Sequence, residues 1–435
     1  APRGELVRFV MLSRHGVRSP LQNTDDLNQW RRSPDPQWPD WGVKSGELTR
    51  KGATLIKLMG EYYRKYLNDK IFTPGQCPKD DVFIWADFDE RTRATAAALV
   101  VGLAAGKPPR PCTFPIKVDH NHPDPLFHPT QAEKILPKCS LDPKEVHRSV
   151  GNLDDLKRKL KPQLAKTQNI LQCCSSKLCE SEHLPPQTCE LQDLRSWIEP
   201  NPNINPDPQH VSVKVKGGLG DAQSFAETLM LEYAQGFSGQ DFGFGRVTPA
   251  DMLDTTLDIL KIHTGVFDKV QRRASYVAQR QGDNLLYHIA YAVEYGRDPT
   301  ETERDKKFIA YIGHDTNIAN VAGLLNLHWQ VSKYPVDDMP PGGALIFEVR
   351  KESDNQLFVN AVFAAQSPET MRQEDKAEAE MKAEAKMVAV SIPCARKRID
   401  GSCSMKEFTH LTGKAVKNEA NPVCVTDLHP ELPRR

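Results

Sequence analysis

The sequence predicts an α/β fold: a central, mostly parallel sheet flanked by helices, with a smaller, mainly helical domain inserted. Three observations carry this. Apolar runs at residues 6–12, 82–86 and 308–312 each read as a strand buried on both faces. Each run stops at a polar cluster, and helical spacing follows further on. From about residue 107 to 215 that alternation is lost and Pro-rich loops take over. The expected division is an α/β domain from 1–136 and 263–435, interrupted by a helical domain at 137–262.

The first run, apolar except for Arg8, ends at Arg14-His15-Gly16-Val17-Arg18-Ser19-Pro20. Gly16 lets the backbone turn, and Pro20 prevents a return to strand. Beyond the carboxyl ends of strands is where open α/β sheets bind ligands. Two guanidinium groups there hold a phosphate bidentately, and the imidazole between them is placed to attack its phosphorus. The five fixed positions of R-H-G-x-R-x-P arise by chance in roughly one of a few million windows. The competing reading is an exposed basic turn. Residues 21–46, with Trp38 and Trp41 among prolines, form a long loop that lines the pocket mouth or buries its tryptophans in packing. Residues 49–68 have helical spacing through Leu55, Leu58, Met59 and Tyr62.

The second run meets Asp87-Phe88-Asp89-Glu90-Arg91-Thr92-Arg93 and an alanine-rich helix over 94–105. One arginine faces the phosphate and the acids orient other groups. His120, His122 and His128 lie in a Pro-Asp loop and read as solvated rather than metal-bound. Helices are predicted at 154–169, 221–235, 249–264, 266–279 and 282–293, and a loop at 199–210. The third run ends in Gly313-His314-Asp315-Thr316-Asn317 before a helix at 318–325. Alone, His314-Asp315 would read as a helix cap. Strands at 343–349 and 357–364 follow, then a Glu/Lys/Ala helix at 373–386 with a solvated face.

Composition narrows the partners. Lys+Arg and Asp+Glu both number 57, which argues against a nucleic-acid binder. The longest apolar run, 94–106, is too short to span a bilayer. Ten cysteines point to an oxidising compartment, periplasmic or secreted. The pairs Cys179 with Cys189 and Cys394 with Cys403 each close a short polar loop. Cys77 and Cys112 flank one strand–helix unit. With no C-x-x-C pair, no metal site is expected. The chain begins a few residues before its first strand, as a processed mature protein would.

Parallel strands ending at one sheet edge bring the three clusters together. His15 attacks phosphorus and forms a phosphohistidine. Arg14, Arg18, Arg91 and His314 bind the non-bridging oxygens. Asp315 protonates the leaving oxygen and then activates water. Neighbouring cations keep His15 neutral in acid while Asp315 needs a proton, so an acid optimum is expected.

The opening string is the signature of the histidine acid phosphatases, and the chain resembles that family nearly end to end. It looks most like the bacterial periplasmic phytases and their glucose-1-phosphatase relatives. The shared strings are Glu90–Arg93, 234–236 (AQG), 313–317 (GHDTN) and 340–343 (PPGG). The resemblance implies a cleft between an α/β and a helical domain, with Asp87, Glu227, His263, Phe267 and Thr316 as pocket residues. It implies the disulfides Cys77–Cys112, Cys139–Cys424, Cys179–Cys189 and Cys394–Cys403. Cys173 and Cys174 are left free, joined to each other, or joined between chains. Phytases of this group commonly carry a lysine where this chain has Gln22, so the pocket loses a cation for a peripheral phosphate. The expected ligand is a small phosphorylated substrate, phytate or a sugar phosphate. The protein is expected to act as a monomer, with no cofactor, metal, nucleic acid or membrane. A phosphomutase has no use for ten cysteines, and a non-catalytic binder would have lost His15 or Asp315.

Overall fold

The opening run forms β1 (Glu5–Arg14), the centre of the sheet in the computed structural model. The structure describes residues 3–23, 27–105, 112–129, 141–186, 188–199, 213–373 and 376–416. Strand alternation sends Phe9 and Met11 to one face, with Val10 and Leu12 to the other. Both faces are covered, so all four are buried. Arg8, the polar exception, is used: its Nη1 donates to the carbonyls of Val293 (2.5 Å) and Glu294 (3.2 Å) in the last turn of the helix Asp283–Tyr295.

Helix α1 (Arg50–Leu67) starts against the loop that follows β1. Thr49 caps it by accepting from the Gly52 amide, and donates its own amide to Val17 (2.9 Å). A Cβ on Gly52 would lie 2.1 Å from the Val17 carbonyl oxygen, so only glycine permits this approach. Strand β2 (Val82–Ala86) leads into α2 (Glu90–Leu103), which packs beside α1. That helix begins at Glu90, earlier than its alanines suggest, and so holds Arg91 in its first turn.

The inserted region is mainly helical. The helix predicted over 154–169 is two, Leu153–Lys159 and Lys161–Leu171, divided just ahead of Pro162. A short hairpin follows, β3 (Ser196–Glu199) with β4 (Lys214–Gly217). The predicted loop at 199–210 lies almost wholly outside the described residues. Helix α3 (Gly218–Gln235) ends at Gly236 in the left-handed region. Helix α4 (Met252–His263) runs into a π-helical stretch, Thr264–Arg273, and then a short helix, Ser275–Gln281. This region has its own apolar core, which takes in Trp30 and Trp38 from the long loop.

Strand β5 (Phe308–Gly313) lies between β1 and β2, parallel to both. Helix α5 (Asp315–Leu325) follows at once. Beyond β1 the sheet continues antiparallel through β6 (Ala344–Lys351), β7 (Leu357–Ala365) and β8 (Lys386–Val390), with β9 (Cys403–Ser404) also on β7. The parallel part carries the clusters, and the sheet as a whole is mixed. Five residues join β6 to β7, too few for a parallel crossover. The helix predicted over 373–386 does not form: the chain makes a short turn at Glu378–Glu380 and enters β8. Its charges ring every face, and without an apolar stripe to bury, helix propensity alone is marginal.

Disulfides join Cys77–Cys112, Cys179–Cys189, Cys394–Cys403 and Cys173–Cys174. Cys139 and Cys424 lie outside the described residues.

Candidate active site

The ends of β1, β2 and β5 are in register. Arg14 is opposite Gly313, and Ala86 is opposite Ile312. The next residues therefore leave the sheet at one edge. His15 donates its amide to Gly313 (3.0 Å) and accepts from Gly342 (2.8 Å), while the Asp87 amide donates to Ile312 (3.0 Å). Beyond them is a cavity of about 320 Å³ lined by His15, Arg18, Arg91, Glu227, His314 and Asp315, among others. A larger hollow of about 840 Å³ beside Tyr66 and Ser332 has no histidine, arginine or aspartate in its lining.

The His15 side chain is oriented by its neighbour. Nδ1 lies 2.8 Å from the Gly16 carbonyl oxygen, which can only accept. Nδ1 thus carries the proton and Nε2 keeps a free lone pair. Burial, then Arg91, Arg14, Arg18 and His314, push the imidazole pKa well below its usual value. Glu227, from α3, accepts through Oε1 from Nη2 of both Arg14 (2.5 Å) and Arg18 (3.0 Å). Arg14 also pairs with Asp315 (3.1 Å) and donates to the Met339 carbonyl (2.6 Å). Burial raises the Asp315 pKa, but Arg14, His263 and Arg18 outweigh it and hold the carboxyl at about 2.

Behind this row Asp87 is completely buried and accepts through Oδ2 from two rings, His128 (2.6 Å) and His314 (2.7 Å). Asp89 is near both rings and pairs with Arg91 (2.6 Å). Burial lowers the His128 pKa, yet Asp87 and Asp89 lift it to about 9. His314, equally bonded to Asp87 but buried beside Arg91 and His128, has its pKa lowered. The extra proton, the one that makes an imidazolium, therefore belongs to His128. With Nε2–H on Asp87, the neutral His314 has Nδ1 as a lone-pair site and becomes a second donor only when acid protonates it. Among the described residues two groups have metal-type donors, Asp87/Asp89/His128/His314 and Glu227/His263/Asp315. In both, the carboxylates are already held by internal partners, the histidines in the first and Arg14 in the second.

The model of the histidine phosphatase superfamily, branch 2, matches residues 5–189 and 222–364. The chain belongs to this superfamily. Phytase AppA of Escherichia coli is 32% identical over 95% of this chain and 93% of its own. A glucose-1-phosphatase of Providencia rettgeri is 25% identical over 95% and 92%. The apo form of Hafnia alvei phytase superposes with a TM-score of 0.81 at 31% identity, covering 97% of this chain and 99% of its own. A further structure of that enzyme holds myo-inositol hexakis sulphate, with a TM-score of 0.80 at 30% identity, covering 97% and 100%. The chain is thus a histidine acid phosphatase, a phosphoric monoester hydrolase of the phytase type.

In this histidine phosphatase the structure brings most of the expected site residues to one cavity. Phe267 and Thr316 line the cavity, while His263 sits behind Arg14. Asp87 lies beneath the histidines instead of in the cavity lining. Gln22 is half-buried outside the lining, where its neighbour Leu21 takes part. The sequence misses three residues. His128, expected in a solvated loop, is drawn in by Asp87; the signal was the adjoining Leu126-Phe127, both buried. Lys214 and Arg272, from the helical wall, also line the cavity.

The His128 pair has a testable pH signature. A pKa raised from 6.5 to about 9 stabilises fully below 6.5, and that contribution is lost as pH rises through 9. His128→Ala is expected to cost on the order of 3 kcal/mol at pH 5 and much less at pH 9.5. Urea unfolding at the two pH values measures it. Equal losses at both would mean that His128 acts by packing and not by charge.

Proposed function

We propose that the protein hydrolyses phytate at acid pH through a phosphohistidine on His15, in an oxidising compartment such as the periplasm. The observation that carries the mechanism is the unprotonated Nε2 of His15 beside three arginines. The nucleophile is neutral in acid, and the transition-state charge is met by Arg14, Arg18, Arg91 and His314. Nε2 attacks phosphorus in line, and Asp315 gives a proton to the departing inositol oxygen. Water, deprotonated by Asp315, then releases inorganic phosphate from His15.

Glu227 holds the two arginines that a phosphate needs, so substrate must displace its carboxylate. A phosphate can carry more charge than that carboxylate, and acid lowers the cost of the exchange. The helical region, residues 137–262 together with the π-helical stretch Thr264–Arg273 that packs in the same core, forms the second wall of the cleft in this reading. The four disulfides among the described residues support the compartment.

The relatives named phytase and the hexakis-sulphate complex favour phytate. Gln22 and the glucose-1-phosphatase relatives favour a single sugar phosphate instead. Initial rates on phytate, glucose 1-phosphate and an aryl phosphate decide between them. The expected order of kcat/KM puts phytate above glucose 1-phosphate. The reverse order would make the enzyme a sugar phosphatase. Activity should also survive EDTA, since the arginines supply the charge that a metal otherwise would.

A further inference from the structure

We propose that Lys214 and Arg272 form a second anion subsite on the helical wall of the cleft, holding a phosphate other than the one transferred. The inference rests on the reading that the scissile phosphate lies against His15. A cavity of about 320 Å³ is at the size of small-ligand sites and exceeds what one phosphoryl group fills. His15, Arg18 and Arg91, the inner group, line it from the strand ends and the helix α2. The lining also includes Lys214 at the start of β4 and Arg272 on the π-helical stretch.

The two cations are fixed side by side by backbone contacts. Arg272 Nη1 donates to the carbonyl of Val213 (2.8 Å), the residue next to Lys214. On the other flank, the Val215 amide donates to the Gln271 side chain (2.7 Å). Val213 and Val215 are buried, so strand alternation turns Lys214 the other way, where it is exposed. Arg272 Nε donates to Thr316 Oγ1 (3.2 Å), and its guanidinium lies 5.0 Å over the Phe267 ring. Thr316 adjoins Asp315, which ties this subsite to the reacting end.

Among the described residues neither Lys214 nor Arg272 is held in an ion pair, although Asp315 lies near enough to act on the Arg272 charge. The inner arginines, by contrast, are engaged by Glu227, Asp315 and Asp89. Lys216, of the same strand as Lys214, pairs with Glu199 (3.9 Å). Burial lowers the Arg272 pKa only to about 10, so it remains a cation in acid. With Nε on Thr316 and Nη1 on the Val213 and Gln271 carbonyls, Arg272 keeps Nη2 for a phosphate oxygen, beside a flexible ammonium. A polyphosphorylated ring thereby gains on the helical wall the anchor that neutral Gln22 does not offer on the other side.

The test uses two competitive inhibitors of aryl-phosphate hydrolysis: myo-inositol hexakis sulphate, which reaches both subsites, and inorganic phosphate, which needs only the inner one. In Lys214→Gln the ratio of their inhibition constants is expected to shift about tenfold against the hexakis sulphate, and further in Lys214→Glu. Lys214 is exposed, so these variants keep the fold. Arg272→Gln, checked by its melting curve, should move the ratio the same way. A ratio at the wild-type value in both Lys214 variants overturns the subsite. Failure of the wild type to release phosphate from phytate would instead refute the substrate reading, and leaves this ratio measurable.

Discussion

His15→Ala is expected to lower kcat by roughly 10⁴-fold or more and to abolish the covalent phosphoenzyme. The alanine variant keeps the cation cluster, so phosphate still binds, but nothing remains to attack phosphorus. The histidine ring makes one hydrogen bond, to its neighbour's carbonyl, and stands edge-on to His314 at 5.6 Å between centroids. Its loss leaves a polar cavity beside solvent, and folding should survive. Wild type and variant are mixed with labelled substrate and quenched within milliseconds in alkaline denaturant, because a phosphoramidate hydrolyses in acid. Label on the wild-type chain and none on the variant is the expected result. Label retained by the variant would move the nucleophile elsewhere, with His314 the first place to look.

Asp315→Asn is expected to slow hydrolysis of phytate and alkyl phosphates about 10²–10⁴-fold more than that of esters with good leaving groups. A poor leaving alkoxide needs a proton as its bond to phosphorus breaks, whereas an aryl oxide departs without one. The substitution is gentle. Asp315 Oδ1 accepts from the Thr316 amide (2.8 Å), which an asparagine oxygen can also do. In the empty site the carboxyl is held at about 2 by Arg14, His263 and Arg18 against the effect of burial, so it is ionised at working pH. A bound phosphate cancels the arginine field, and the proton arrives on the substrate, whose second ionisation lies near pH 6. In the wild type kcat/KM should therefore fall as pH rises through about 6. Burst release of the leaving group times the first step apart from the water step. Equal slowing for both ester types would make Asp315 a binding group and give the proton to another acid, with Glu227 the nearest candidate.

The catalytic half of the site was legible because parallel strands share a rule. Residues 82–86 and 308–312 are apolar runs too short for a buried helix and rich in β-branched and aromatic residues, and each stops at its polar cluster. Helix starts were less legible. Arg91 and Asp315 lie in the first turns of their helices, where propensity says little and caps decide. The failed helix at 373–386 has the same lesson in reverse, since good helix formers without a buried face have only a marginal preference for helix.

The sequence by itself determined the fold class, the nucleophile motif and the three clusters at one sheet edge, because these depend on local apolar period and turn residues. Only the tertiary structure decided the rest. His128 is a loop residue until the buried charge of Asp87 recruits it. Lys214 and Arg272 belong to the site only because a hairpin and a π-helical stretch are tied together by Val213, Val215 and Gln271. Contacts of that kind depend on which surfaces meet across the cleft, and no local pattern in the chain encodes them.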